Sequence, residues 1–317
     1  MDGRSPMTRR VAVIGECMLE LKGQAFGPMT QGYGGDTFNT AVYLKRCGDA
    51  AGVQVAYATA LGDDGLSTGL LERWRDQGID TRLVRRIPGR MPGLYLIEVD
   101  PAGERSFHYW RDTAAAKAYF DEAVSPLEHH AEDFDALYLS GITLAVLPPA
   151  GRERLFALME RLRARGAQVV FDNNFRPRLW PDRAAARAAF ERAFSLATIA
   201  LVTADDHQAL TGLDSLEAAI AHAQSLPTPE VLIKRGASPT LVHSVQAPGH
   251  WAEAPTEEVA RVVDTTAAGD AFAGGYLARR LAGADAVSAA VFGNRVAARV
   301  IQHPGAIIPI EVMGDLV

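Results

Sequence analysis

One rhythm constrains this chain more than any other feature. Short apolar runs recur along it: "RRVAVIG" (9–15), "VQVAYATAL" (53–61), "DALYLSG" (135–141), "AQVVFDNN" (167–174), "IALVTAD" (199–205) and "EVLIKRG" (230–236). Helix-like stretches lie between them. Among these are "DTFNTAVYLKRCG" (36–48), with Gly48 as its stop, "GLSTGLLERWRDQG" (65–78), and the Ala/Arg-rich 182–196. A strand that is apolar at nearly every position must be covered on both faces, which a parallel sheet with helices on either side provides. The expected fold class is therefore α/β, a mostly parallel, Rossmann-like central sheet flanked by helices. At 317 residues the chain can bury one large core of this kind, and residues 1–317 read as a single unit.

One segment breaks the rhythm. "GLYLIEVDPAGERSFHYWR" (93–111) is two strand-like runs around the turn signal Asp100-Pro101-Ala102-Gly103. A hairpin this rich in aromatic and apolar surface must cover something. With residues 16–34 it reads as a small β-lid, inserted at about 16–35 and 92–112. An apolar lid facing solvent would suit a homo-oligomer in which lids meet.

Composition narrows the function classes. A net charge of -6 speaks against nucleic acid as a partner. No apolar run approaches the roughly 20 residues of a membrane helix, and the polar start, with Met7 as an alternative first residue, lacks a secretory core. Cys17 and Cys47 have neither metal-ligand spacing nor a disulfide framework, which fits a cytoplasmic chain.

Ligands of open α/β sheets bind at the carboxyl ends of strands. Four polar clusters fall there: Gly34-Gly35-Asp36, Asn173-Asn174-Phe175-Arg176, Lys234-Arg235-Gly236, and "VVDTTAAGDAFAGGYLA" (262–278). In the last, Ala267, Ala268 and Gly269 can present backbone amides unobstructed by side chains. A helix beginning at about Asp270 would add its N-terminal partial charge. That combination suits a transferred phosphoryl group, and Asp270 could take a hydroxyl proton beside it, although a helix N-terminus lowers an acid's pKa and weakens the base. Read alone, Asp270 is more often a simple helix cap.

No Walker lysine loop occurs, and Gly32-Tyr33-Gly34-Gly35 is no dinucleotide fingerprint, so a dehydrogenase fits poorly. No His or Cys spacing suggests zinc, and no metal ligand is assigned. A carboxylate substrate would call for a fork-shaped guanidinium, which Arg111 or Arg176 could supply. Tyr95 and Tyr109 read more readily as lid-core aromatics than as ligands, and Lys234 reads equally as half of a surface pair with Arg235.

"DTTAAGDAFAGGYLA" resembles the C-terminal signature of the ribokinase-like (PfkB) carbohydrate kinases, usually D-T-x-G-A-G-D-x-F, with Ala267 where most members have glycine. "GGDTFNTAVYLKRCG" and "ALGDDGLSTGLLERWRDQGID" resemble the N-terminal signature, and the likeness runs from about Val11 to Pro309. "VIGECMLEL", "FHYWRDTAAAK" and "DNNFRPRLW" look like the branch that phosphorylates 2-keto-3-deoxygluconate. The family's N-x-x-E motif, linked to magnesium and phosphates, stands here as Thr203-Ala204-Asp205-Asp206.

The resemblance implies a role for each matching position. Gly34, Gly35, Asp36 and Asn39 would meet the sugar's hydroxyls. Tyr95, Tyr109, Arg111 and Arg176 would hold the acid end and keto group. Asn174 to Arg176 would border the phosphates, and Lys234, Gly236, Ala267 to Gly269 and Asn294 the nucleotide. Asp270 matches the catalytic base. ATP and Mg²⁺ would be the cofactors, with or without a monovalent cation, and a sugar acid the small-molecule partner. The alternatives are a kinase of fructose, ribose or a related keto-deoxy acid, and a catalytically silent sugar- or nucleotide-binding protein.

Overall fold

The computed structural model describes residues 8–99, 105–247 and 249–317; the predicted turn at Asp100–Gly103 and the segment before Thr8 lie outside them. In chain order the strands are β1 (Arg9–Ile14), β2 (Met18–Gly23), β3 (Met29–Gly34), β4 (Val53–Leu61), β5 (Val84–Arg86), β6 (Leu94–Val99), β7 (Arg105–Trp110), β8 (Ala136–Ser140), β9 (Gln168–Asp172), β10 (Ile199–Thr203), β11 (Glu230–Arg235), β12 (Ser238–His243) and β13 (Ala252–Ala254). The helices are α1 (Asp36–Gly48), α2 (Gly65–Asp76), α3 (Pro126–His129), α4 (Gly141–Val146), α5 (Pro149–Ala164), α6 (Arg183–Leu196), α7 (Ala204–Thr211), α8 (Leu216–Ala223), α9 (Ala268–Leu281) and α10 (Ala286–Val300).

The apolar runs form one sheet in the order β13-β12-β11-β10-β9-β8-β1-β4-β5. From β5 to β11 every pairing is parallel, as with Val11 of β1 opposite Val55 of β4 and Ala136 of β8. Strands β12 and β13 close one edge antiparallel, an addition the apolar pattern does not announce. Two hydrophobic clusters cover the two faces. One gathers residues of α1, α2, α9 and α10, with Phe38, Trp74 and Tyr57 of β4 among them; the other gathers residues of α5, α6 and α7, with Phe190, Phe194 and Phe171 of β9 among them. In the first, Phe38 stands 5.0 Å from Trp74 and 5.2 Å from Tyr57 between ring centres. Aromatic pairs at this spacing add about 0.5–1.5 kcal/mol each beyond their burial.

A second sheet, β3-β2-β6-β7, is separate from the first, and its strands fall within the two segments expected to form a lid. Side chains alternate across it. Met18, Glu20, Tyr95, Ile97, Phe107 and Tyr109 face the cleft between the sheets, while Leu19 packs the other way into the core. Gly48 ends α1 as expected, and a tight turn over Asp49–Ala51 then leads to Gly52 at φ 76°.

The packing of α9 against α1 and α10 positions the site. A Cβ at Gly274 would lie 2.6 Å from Tyr43 Cβ and 2.7 Å from the Leu44 nitrogen of α1. One at Gly275 would lie 2.7 Å from Val296 of α10. Only hydrogen fits, so the helices approach backbone to backbone. We expect Gly274→Ala to destabilise the protein by about 1–3 kcal/mol in denaturant unfolding and to lower turnover with it. An unchanged unfolding midpoint would mean that the spacing of α1 and α9 is not tight.

Candidate active site

The sheet's carboxyl ends and the lid enclose a cleft of about 480 Å³. Its floor is α9. That helix begins at Ala268, two residues earlier than the sequence suggests, with Ala267 as its N-cap residue and no side-chain cap. Asp270 is therefore the third helical residue and is not spent as a cap. Its carboxylate instead accepts a 2.9 Å hydrogen bond from Asn39 Nδ2 of α1. Ala267 has φ 61° and ψ 14°, a left-handed conformation that costs an alanine roughly 1–2 kcal/mol. Glycine would adopt this conformation without that cost.

The Ala268 amide is already bonded to the Thr265 carbonyl at 3.2 Å, which corrects the picture of three open amides. The Gly269 and Asp270 amides still point out of the helix N-terminus by helix geometry. Beneath them Asp264 takes bonds from the Thr266 amide (3.0 Å) and hydroxyl (2.6 Å) and from the Gly305 amide (3.2 Å), which fixes the loop.

Around Asp270 the other strand ends supply charge. Asp172, at the end of β9, accepts from Lys234 Nζ at 3.0 and 3.3 Å and from Tyr138 at 3.4 Å. The β11–β12 register shifts between Ile233 and Arg235, a bulge that re-aims Lys234 towards the cleft. Lys234 is thus a buried partner of Asp172 and no surface residue. Asn174, at φ 22°, donates to Asp36 at 2.8 Å. Arg176 holds Asp206 at 3.1 and 3.2 Å while remaining half exposed to the cleft.

The Asp36, Asp206 and Asp270 carboxyls are raised from their ordinary range. Burial, then the nearby Asp36 and Asp172, push the Asp270 carboxyl up to about 8, against the Asn39 hydrogen bond and Lys234. Asp36 and Asp206 also move upward, chiefly through burial. The helix N-terminus alone would have lowered Asp270 and weakened it as a base. Desolvation wins, so Asp270 is a stronger proton acceptor than an ordinary aspartate once ionised.

Of the residues singled out in the sequence, the cleft gathers Gly34, Gly35, Asp36, Asn39, Tyr95, Tyr109, Asn174, Arg176, Lys234, Ala267, Ala268, Gly269 and Asp270. Tyr95 and Tyr109 stack with ring centres 6.0 Å apart, and Tyr95 donates to Glu20. Three expected residues stand elsewhere. Arg111 is turned into the lid hinge, where it pairs with buried Glu16. Gly236 makes the β11–β12 turn at φ 62°. Asn294 spends its amide on Thr240 (3.1 Å), Ala254 (3.1 Å) and Pro255 (3.0 Å). Residues not singled out beforehand also line the cleft: Glu20, Lys22, Asp172 and Asp264. Asp172 closes the run "VVFD", so a strand-ending acid was the available signal.

A floor acid at a helix start, cations at neighbouring strand ends and an aromatic lid are the parts of a sugar-phosphorylating site. Residues 8–313 match the pfkB family of carbohydrate kinases. The chain belongs to that family. It is similar to the 2-dehydro-3-deoxygluconokinase of Escherichia coli (strain K12), 44% identical over 310 residues that cover 97% of this chain and 99% of that one. The enzyme of the same name from Dickeya dadantii (strain 3937) is 42% identical over 309 residues, covering 96% and 99%. Among solved structures, fructokinase with bound ATP from Xylella fastidiosa superposes with a TM-score of 0.80 at 26% identity, covering 96% and 95%. No helix among the described residues is long and apolar enough to cross a membrane.

Two outcomes test this site. Ala267→Gly should stabilise the fold by about 1 kcal/mol in thermal unfolding, because glycine adopts φ 61° freely; a loss of stability would contradict the strained cap. Asp270 binds its proton more tightly folded than unfolded, so its contribution to stability falls as pH rises from 3.8 through about 8. The melting temperature of Asp270→Asn relative to the native protein should therefore climb between about pH 4 and pH 8 and level off above that. A pH-independent difference would show that the carboxyl titrates normally.

Proposed function

We propose that this pfkB carbohydrate kinase transfers the γ-phosphoryl group of ATP to the primary hydroxyl of 2-keto-3-deoxygluconate (2-dehydro-3-deoxygluconate), giving the 6-phosphate. The observation that carries the reading is Asp270 on the cleft floor, uncapped and proton-avid, beside the amides that open α9. The choice of substrate is supported by the two relatives of that name, matched over nearly their whole length.

In this reading the hydroxyl sits against Asp270, whose ionised carboxylate takes its proton as the O–P bond forms and the bond from phosphorus to the β-phosphate oxygen breaks. Asn39 keeps the carboxylate aimed. The Gly269 amide, with Lys234 Nζ 3.4 Å from where a Cβ would stand, leaves a cradle that any larger residue would fill. The phosphoryl charge develops there, where preorganised donors act at little reorganisation cost. Tyr95 and Tyr109 cover the sugar and exclude water that would otherwise hydrolyse ATP. Arg176, half exposed and held by Asp206, is the guanidinium available to the acid end.

The donor chemistry fits Mg²⁺. Asp172 and Asp206 are hard oxygen donors beside the phosphate cradle, and no cluster of three or more His, Cys, Asp or Glu among the described residues could cage a metal alone. Magnesium bound mainly through phosphates and water needs only one or two carboxylates. When bound, it would neutralise phosphate charge.

A panel of sugars with ATP tests the substrate. 2-Keto-3-deoxygluconate should give the highest kcat/KM, ahead of 2-keto-3-deoxygalactonate, fructose and ribose. A neutral sugar in first place would overturn the assignment. Arg176→Ala should raise KM for the acid about 10-fold or more and leave a neutral hexose unchanged. An equal effect on both would remove Arg176 from the carboxylate.

A further inference from the structure

The chain passes between body and lid four times: after β1, before α1, before β6 and after β7. All four crossings meet at Glu16. Its carbonyl fills the space where a Gly35 Cβ would stand, at the return from β3 into α1. Its Oε1 fills the space of a Gly93 Cβ at the entry to β6, and Arg111 Cβ lies 3.3 Å from that same point. Its other carboxylate oxygen pairs with Arg111 Nη2 at the exit from β7. Backbone bonds lace the crossings together: Leu19 N to Gly93 O at 2.8 Å and Ala115 N to Met91 O at 2.9 Å.

This arrangement is a poor device for stability. Glu16 is 4% exposed, and its Oε1 and the Arg111 Nε have no hydrogen-bond partner among the described residues. A buried ion pair with atoms left unsatisfied is generally no more stable than apolar residues of the same shape, so its presence asks for another reason. The position of the pair supplies one. Tyr95 lies two residues beyond Gly93, Tyr109 two residues before Arg111, and Asp36 next to Gly35. Each of these lines the cleft, and each hangs from a crossing that Glu16 touches.

We propose that Glu16 is a positioning residue: its buried carboxylate clamps Arg111 at the pivot of the lid, and so sets where Tyr95 and Tyr109 stand over the sugar. The clamp acts on the sugar side of the cleft and leaves the nucleotide side, built on α9 and Lys234, untouched. The proposal rests on the sugar-kinase reading. The two fail separately, because the native protein's turnover tests the reaction while the variants test the clamp.

Two variants and one measurement on the native chain carry the test. Glu16→Gln keeps the shape and removes the charge, leaving Arg111 buried and unpaired. Its melting temperature should fall. Glu16→Gln combined with Arg111→Met removes both charges and should recover most of that loss. In both, KM for the sugar acid should rise about tenfold or more, while KM for ATP stays within about twofold. ATP hydrolysis without sugar transfer should rise as a fraction of turnover, since a misplaced lid admits water. A merely structural pair would behave otherwise: the double variant would regain native KM for the sugar along with its stability. That result, or a parallel rise in both KM values, overturns the proposal. In the unmodified protein without ligand, the Leu19 amide at the pivot should exchange slowly with deuterium. Exchange there as fast as in an open loop would contradict a clamped hinge even if neither variant folds.

Discussion

The hydrogen bond from Asn39 to Asp270 joins two helices that are far apart in the chain, and much of the site depends on it. It exists because α9 carries Gly274 where α1 presents Tyr43 and Leu44, so the two backbones approach without side chains between them. Further along α1, Thr40 donates to Tyr138, which donates to Asp172, which in turn holds Lys234. Thr37, Asn39 and Thr40 are buried polar residues on a helix packed on every side, and each has a partner. The helix that looks least like a surface element is the one that wires the floor of the cleft to the strand ends.

Charge at the cleft follows from the same closeness. Asp36, Asp172 and Asp270 share one desolvated region, and one cation, Lys234, is set among them at 9% exposure. Burial first, and then repulsion from the neighbouring acids, keeps Asp270 proton-avid. In the proposed reaction, this cluster would meet the positive charge of a metal–nucleotide and the proton of the sugar hydroxyl. A lone aspartate at a helix start would be a weaker base, so burial and neighbouring acids convert an ordinary helix-terminal residue into a reactive one.

Much of the fold was legible because its strands are apolar on both faces, a pattern with few other solutions. The bounds of α1 and β4 coincide with the runs quoted from the sequence. The β12–β13 edge was not legible, since "SPTLVH" and "AEA" lack a continuous apolar signal and owe their place to pairing with β11. At the site, Asp270 was readable through the small residues before it. The left-handed turn at Ala267 was not, because an alanine does not advertise φ 61°. Arg111 was legible as a cation at the lid but not as a hinge residue: its partner Glu16 is distant in sequence, and only the folded hinge brings the two together. The pairing of Lys234 with Asp172 was hidden in the same way, although Lys234 itself was expected at the site: the two lie on different strands and meet only in the folded sheet.

The whole arrangement rests on the state of one carboxyl group, which carboxyl-carbon NMR can titrate directly in the ligand-free protein, with Asp270→Asn identifying the signal. A midpoint near 8 is expected for Asp270, shifting upward in Asn39→Ala, where the donor that favours the ionised form is lost. A midpoint near 3.8, unmoved by Asn39→Ala, would mean that neither burial nor the helix contact governs the floor of this cleft.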